Sequence, residues 1–322
     1  MTINEIAKMA GVSAAAVSRY LNNGYLSEDK KEIIRKVIEE TGYKPSLQAQ
    51  MMRTKKAKLI SVIVTLQDTR LIGDVMLGIN EILKGESYDI LFSLCNSNDG
   101  NDVINQATIA QNRLADGIII VADSLNEATT NALKALNIPV LLAGINNDNL
   151  NCIFYDNAEA AMMVTDALIS KGCTKPAYIG LSPAHPITGA DRFSGYKNAL
   201  LNNNIQLDTK LIEICDSTVA EGSAAMERLL EKCPGIDAVF CGSDALSIGA
   251  YQFLATQKTR FSINVSGFGN TELAGIINPP LINITIDYCE LGKKAAGSII
   301  RLLTENPEKL TKEKLDCLLH NN

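Results

Sequence analysis

The chain has 322 residues, 46% hydrophobic, 20% charged and 5% aromatic with no Trp, more than one compact core holds, so a small domain plus a large one or several lobes is expected. No apolar run approaches the roughly 20 residues that span a bilayer, the start MTINEIAKMAG is unlike a secretory signal, and the eight cysteines are scattered without a CxxC pair. A cytoplasmic protein with reduced core thiols is expected, with no membrane association, metal or cofactor.

The net charge of −6 hides an asymmetry. Residues 1–58 carry 11 Lys/Arg against 6 Asp/Glu, and the remainder 19 against 30. A polyanion-binding module, or only a solvated charged face, precedes an acidic body.

In chain order, INEIAKMA places Ile3, Ile6, Ala7 and Ala10 at a one-sided helical spacing, which Gly11 ends. Ser13 is a good N-cap for AAAVSRYLN, whose apolar positions are Val17 and Leu21, and Asn22-Asn23-Gly24 closes it. Ser27 is expected to cap a third helix, EDKKEIIRKVIEETG, with Ile33, Ile34, Val37 and Ile38 inward and Gly42 as its stop. Three short helices with a tight turn between the first two form a helix-turn-helix unit. The segment SLQAQMMRTKKAK is basic at one end and weakly helical.

The pattern then changes. Apolar strands are predicted at 59–64, 88–94, 117–122, 139–144 and 152–156, and again at 177–180, 211–215, 238–242, 263–269 and 283–287. Helical stretches separate most of them, as in DVMLGINEILK with Val75, Ile79 and Ile82 on one stripe. Alternating α and β with continuous apolar strands means parallel sheets covered on both faces. About ten strands imply two doubly wound lobes. Ligands of such sheets bind outside the carboxyl ends of the strands, here in a cleft between lobes.

The stretch from Thr2 to Val64 resembles the headpiece, hinge and first sensor strand of the LacI/GalR family of bacterial repressors. The likeness is carried by AxxAGVS, by VSR on the second helix, by GY-SE and by tyrosine–x–proline after the third helix. It continues through DGIII, IPV, DRFSGY, SDALSIGA, and SGFG followed by NPPL. The resemblance implies an all-α helix-turn-helix headpiece over residues 1–45 and a hinge helix and linker over 46–57. An α/β sensor and dimerisation domain follows over 58–322. Its two doubly wound lobes would resemble periplasmic binding proteins, the N-lobe taking about 58–157 and 288–315 and the C-lobe about 158–287. The chain stops at LDCLLHNN without the leucine heptad tail of the family's tetramers, so a homodimer is expected.

By this resemblance Ala14 and Ala15 match the family's two principal specificity positions, and Ala16 is expected beside them in the major groove. Alanine offers only methyl contact, so readout of double-stranded operator DNA is expected to centre on Arg19, bonding guanine or else a phosphate. Ser13, Ser18, Asn22 and Tyr43 look like phosphate-positioning groups, Tyr43 being alternatively a core-edge aromatic. Ser46 would begin the hinge helix, and Met52 stands at its minor-groove wedge position.

In the sensor, Arg192 and Asp244 match the family's effector-binding arginine and aspartate. The alternatives are a salt bridge of Arg192 with Asp191 and an N-cap role for Asp244. Tyr155 offers a ring face or core packing, Asp156 and Asn157 a site or a helix cap. Thr69 and Asn270 are further candidates. Gly144 stands where several relatives carry an acid. A small-molecule effector, a sugar or sugar phosphate, is expected. The alternative within the family is a catabolite-control regulator that uses a phosphoprotein corepressor. No GxxxxGK[ST], GxGxxG, GxSxG or HExxH occurs, so no enzyme is expected.

Overall fold

The structure, a computed structural model, describes residues 1–21, 24–43, 56–65, 69–95, 100–257, 262–269, 281–305, 307 and 309–320; the side chains of Thr69, Arg70 and Pro186 lie outside that description. The chain forms two compact units, Met1–Lys58 and Leu59–Asn322.

The first unit is three helices. In α1 (Ile3–Met9) a capping box closes the N-terminus: Glu5 N–H donates to the Thr2 hydroxyl at 3.3 Å, and Thr2 N–H donates to the Glu5 carboxylate at 2.8 Å. Gly11, at φ 63°, turns the chain into α2 (Ala14–Leu21). There the Ser13 hydroxyl accepts from Ala16 N–H at 3.2 Å, the expected N-cap. Ser27 occupies the cap position of α3 (Glu28–Thr41) but makes no side-chain cap bond; Glu28 and Asp29 in the first turn favour that end instead. Ile6, Ala7, Ala10, Ala16, Val17, Leu26, Ile34 and Tyr43 form the core. Ile33, expected inward, is 46% exposed, because Ile34 already fills that face.

The second unit has two sheets of one design. The N-lobe contains β1 (Leu59–Val64), α4 (Thr69–Gly85), β2 (Asp89–Leu94), α5 (Gly100–Asn112), β3 (Gly117–Val121), α6 (Glu127–Lys134), β4 (Val140–Ala143) and β5 (Asn151–Tyr155). The chain then crosses into the C-lobe. There it forms α7 (Asn157–Ser170), β6 (Pro176–Gly180), a π-helical turn (Pro186–Asp191), α8 (Arg192–Asn202), β7 (Ile212–Ile214) and α9 (Val219–Lys232). β8 (Ala238–Cys241), α10 (Asp244–Thr256), β9 (Asn264–Phe268) and β10 (Ile282–Thr285) complete that series. It returns through α11 (Tyr288–Glu305), which packs on α4. It ends with β11 (Lys312–Leu315) beside β5 and β12 (Leu318–His320) beside β10.

The strand orders are β11-β5-β4-β3-β1-β2 and β12-β10-β9-β8-β6-β7, all pairs parallel except β10 with β12. The chain therefore passes between lobes three times, at 156, at 286–287 and at 316–317. Gly78 and Gly292 let α4 and α11 touch backbone to backbone: an added Cβ would meet Cys289 O at 2.0 Å or Val75 O at 2.1 Å. Among the described residues no helix is long and apolar enough to cross a membrane.

Candidate DNA-reading surface and effector cleft

Helix α2 sorts its residues by phase. Ser13, Ala15 and Arg19 are exposed, with Ala15 and Arg19 one turn apart on the same face. Ala14 and Ser18 are half-buried at the edge of that face. Ala16, expected beside them in the groove, packs with Val17 in the headpiece core, because one step along a helix rotates a side chain by about 100°. Tyr43 is also a core residue, 9% exposed, which favours its packing role over phosphate contact. Asn22, Ser46 and Met52 lie outside the described residues.

Parallel strands place all their carboxyl ends on one edge of each sheet, and the cleft follows from that. A cavity of about 320 Å³ opens there. Its N-lobe side is built by residues at the ends of β3, β4 and β5, Asp123 to Leu125, Gly144 to Asn147, and Phe154 and Tyr155, with Asp156 to Ala158 at the crossing into α7. Ile187 and Asp191 of the π-helical turn face them from the C-lobe. Gly144 sits at φ 108°, and a Cβ on it would come within 2.7 Å of Ala122 O. An acid at this position would be strained, which accounts for the glycine.

Tyr155 lines the cavity, 6% exposed, and donates its hydroxyl to the Asp287 carbonyl at 2.8 Å, tying two crossing segments together. The Asp156 carboxylate caps α7, accepting from Glu159 N–H at 2.9 Å. Asn157 is buried; its amide donates to Tyr155 O at 3.3 Å, and its side-chain oxygen accepts from Arg192 Nε at 2.9 Å.

Arg192 is 5% exposed and stands behind the cavity wall. Besides Asn157 it bonds the Gly242 carbonyl through Nη1 at 2.5 Å, and its guanidinium lies 3.9 Å over the Phe268 ring. Burial pushes its pKa down, while Tyr288, Tyr178 and Asp244 oppose that shift. Arg192 thus spends its donors on Asn157, Gly242 and Tyr288. Phe268 ends a chain of aromatic contacts: Tyr178 stacks on Phe240 at 5.4 Å, and Phe240 meets Phe268 edge-on at 6.3 Å.

Asp244 is likewise 5% exposed. It is the first residue of α10, and Ser243 is the cap, accepting from Leu246 N–H at 3.4 Å. Its carboxylate packs over Gly269, where an added Cβ would meet Oδ2 at 2.5 Å, so the glycines of SGFG make room for it. Thr69 heads α4. Asn270 lies outside the described residues. Sequence reasoning missed Asp123, Asn146 and Ile187. They sit on three turns without a shared motif, and only the rule that strand carboxyl ends face the ligand points to them.

Comparison with known proteins agrees with this layout. Residues 57–316 match the family model of periplasmic binding proteins and the sugar-binding domain of the LacI family, and residues 2–46 match that of the bacterial regulatory proteins of the lacI family. The chain is 24% identical to the Sucrose operon repressor of Staphylococcus xylosus, covering 94% of this chain and 93% of that protein. It is 28% identical to Catabolite control protein A of Priestia megaterium, covering 97% and 94%. The fold is similar to that of the lac repressor dimer bound to operator and the anti-inducer ONPF, with a TM-score of 0.87 at 21% identity over 99% of this chain and 97% of that one. With a helix-turn-helix unit at one end and a two-lobed sugar-binding fold over the rest, the chain belongs to the LacI family and is a transcriptional repressor rather than an enzyme.

Proposed function

We propose that this repressor binds a palindromic operator as a homodimer in the cytoplasm, and that a sugar or sugar phosphate in the inter-lobe cleft sets its hold on double-stranded DNA. The observation that carries this reading is a helix exposing Ala15 and Arg19 in the same chain as a cavity lined from two lobes. Arg19 is the one long donor on the exposed face of α2, so base discrimination is assigned chiefly to it. Ala14 and Ala15 supply close approach and methyl contact, Ser13, Ser18 and Asn22 backbone positioning, and Ser46 and Met52 the hinge helix and its wedge. The headpiece takes residues 1–45, the hinge and linker 46–57 and the sensor 58–322.

On the sensor side, Tyr155 meets the ligand directly, together with Thr69 at the head of α4 and with Asn270. Arg192 and Asp244 form the wall that shapes the site. A ligand that prefers one arrangement of the lobes shifts the population between them and so the DNA affinity.

Support for the dimer comes from the sheet edges. β2 and β7 end their sheets, and Phe92 and Leu94 on β2 are 46% and 61% exposed, with Ile214 on β7 at 43%. Bare apolar edges of this kind are covered in a stable protein. The lac repressor structure, a dimer on its operator, supports the same arrangement here. The likeness to Catabolite control protein A keeps a second reading, in which a phosphoprotein corepressor acts in place of the sugar. Capture of a phosphoprotein from cytosol, without a sugar response, would select it.

The test is a gel-shift titration of Arg19→Ala. Loss of about 10- to 100-fold in operator affinity, with weak nonspecific binding retained, is expected. Unchanged operator affinity removes Arg19 from the reading role.

A further inference from the structure

The charge lining the cleft is one-sided, and its meaning for ligand choice rests on the cleft being the effector site. Asp123, Asp156 and Asp191 bring three carboxylates to one cavity, and no Lys, Arg or His is among the described residues that line it. Arg192 lies behind the wall, with Nε on Asn157, Nη1 on Gly242 and its face on Phe268.

Helix N-termini are the other common anion sites. α7 is capped by Asp156, and α6 by Asn126, which accepts from Thr129 N–H at 2.7 Å, whereas the π-helical turn that bears Ile187 has no side-chain cap. At the mouth of the cleft the Asp191 carboxyl is held above its ordinary range, by desolvation and by the charge of Asp156, with Arg192 offsetting only part. Leu125, Phe154 and Ile187 supply apolar surface beside these acids, the mixture that fits a sugar ring edged by hydroxyls.

From this arrangement we infer that the cleft takes an uncharged or amino-bearing sugar and rejects phosphorylated and carboxylated ones. Carboxylates accept hydrogen bonds from hydroxyl and ammonium groups alike. A phosphate dianion would meet three like charges in a partly desolvated site, with no cationic side chain among the described residues that line it.

The experiment is calorimetric titration of the full chain at pH 7 with matched sets. Glucose, glucosamine and glucose 6-phosphate form one, the galactose and mannose equivalents two more, and sucrose with sucrose 6-phosphate a fourth. In every set that binds, the neutral or amino member should bind at least about tenfold tighter than the phosphate. The gap should fall below about threefold in the double variant Asp123→Asn, Asp191→Asn. A phosphorylated member that binds as tightly as its neutral partner overturns the inference and leaves sugar control standing. A gap unchanged in the double variant also overturns it, since the carboxylates would then not be the cause. If no member of any set binds, the sugar reading itself fails, and this inference with it.

Discussion

The two lobes wind their strands in the same order but are filled differently. The N-lobe sheet is mainly aliphatic: Ile60, Val62, Ile118 to Ile120 and Leu141 are wholly buried, and Tyr88 and Tyr155 are its buried rings. The C-lobe is built around Tyr178, Tyr196, Phe240 and Phe268, each at most 2% exposed. The aromatic side is also where a guanidinium is buried. Phe268 gives Arg192 a π face, Gly242 a carbonyl, and Asn157 ties it to the first crossing between lobes. The N-lobe instead places carboxylates and amides on its cleft rim. One topology thus yields an aromatic wall and an acidic rim: the first comes from strand residues, Tyr178, Phe240 and Phe268 on β6, β8 and β9, and the second from the turns after the strands.

The largest effect expected from this contrast is on Phe240. Phe240→Ala should destabilise the protein by about 3–5 kcal/mol, through lost burial and the cavity left behind. Urea titration measures this; a loss below about 1 kcal/mol would deny the aromatic wall its structural role. Next comes Arg192→Met, which strips donors from Asn157 and the Gly242 carbonyl and should cost about 2–4 kcal/mol. On the opposite wall, Asp123→Asn should stay within about 0.5 kcal/mol. Equal losses on both walls would erase the distinction.

The edges differ as well. β2 exposes Phe92 and Leu94, whereas β7, beside its exposed Ile214, carries Glu213, 6% exposed and paired with Arg228 at 2.7 Å and with Lys232. Burial pushes this carboxyl up, but the hydrogen bonds from Lys232 and Arg228 outweigh it and hold the pKa below its ordinary value of 4.5. Its stabilisation is therefore present above pH 4.5 and lost as pH falls through the lowered value. Glu213→Gln should cost about 1–2 kcal/mol at pH 7, with the gap to wild type closing in acid below that range. A gap independent of pH would place its origin in packing.

The smallest change expected is a gain. The Tyr178 hydroxyl is buried with no hydrogen-bond partner among the described residues. Tyr178→Phe should leave stability unchanged or raise it by up to about 1 kcal/mol. A clear loss on melting would reveal a bond to bound water.

Much of the fold is legible in the residues. All ten predicted strands appear, because a continuous apolar run such as GIIIV is the signature of a strand buried on both faces. β11 and β12 are not predictable in this way. Lys312 to Leu315 reads KEKL, an edge strand whose alternation is charged, and three residues of β12 are too few for any period. In the headpiece the helices are readable but their rotation is not, so Ala16 is expected in the groove although it packs inside. Arg192 and Asp244 stand out through family motifs, which mark a position but not whether its side chain faces ligand or wall. Of the cleft's acids Asp156 is named from the sequence, but Asp123 escapes for another reason: the acids come from separate turns, brought together only by the parallel sheets.

The most direct test of sugar-controlled operator binding is fluorescence anisotropy of the full chain on inverted-repeat promoter DNA against random duplex of equal length, at one fixed salt concentration, with and without a cleft-binding sugar. The account predicts at least about 10³-fold preference for one inverted repeat, and a change in that affinity when the sugar is added. No preference for any inverted repeat, or an affinity indifferent to a sugar that demonstrably fills the cleft, would contradict it.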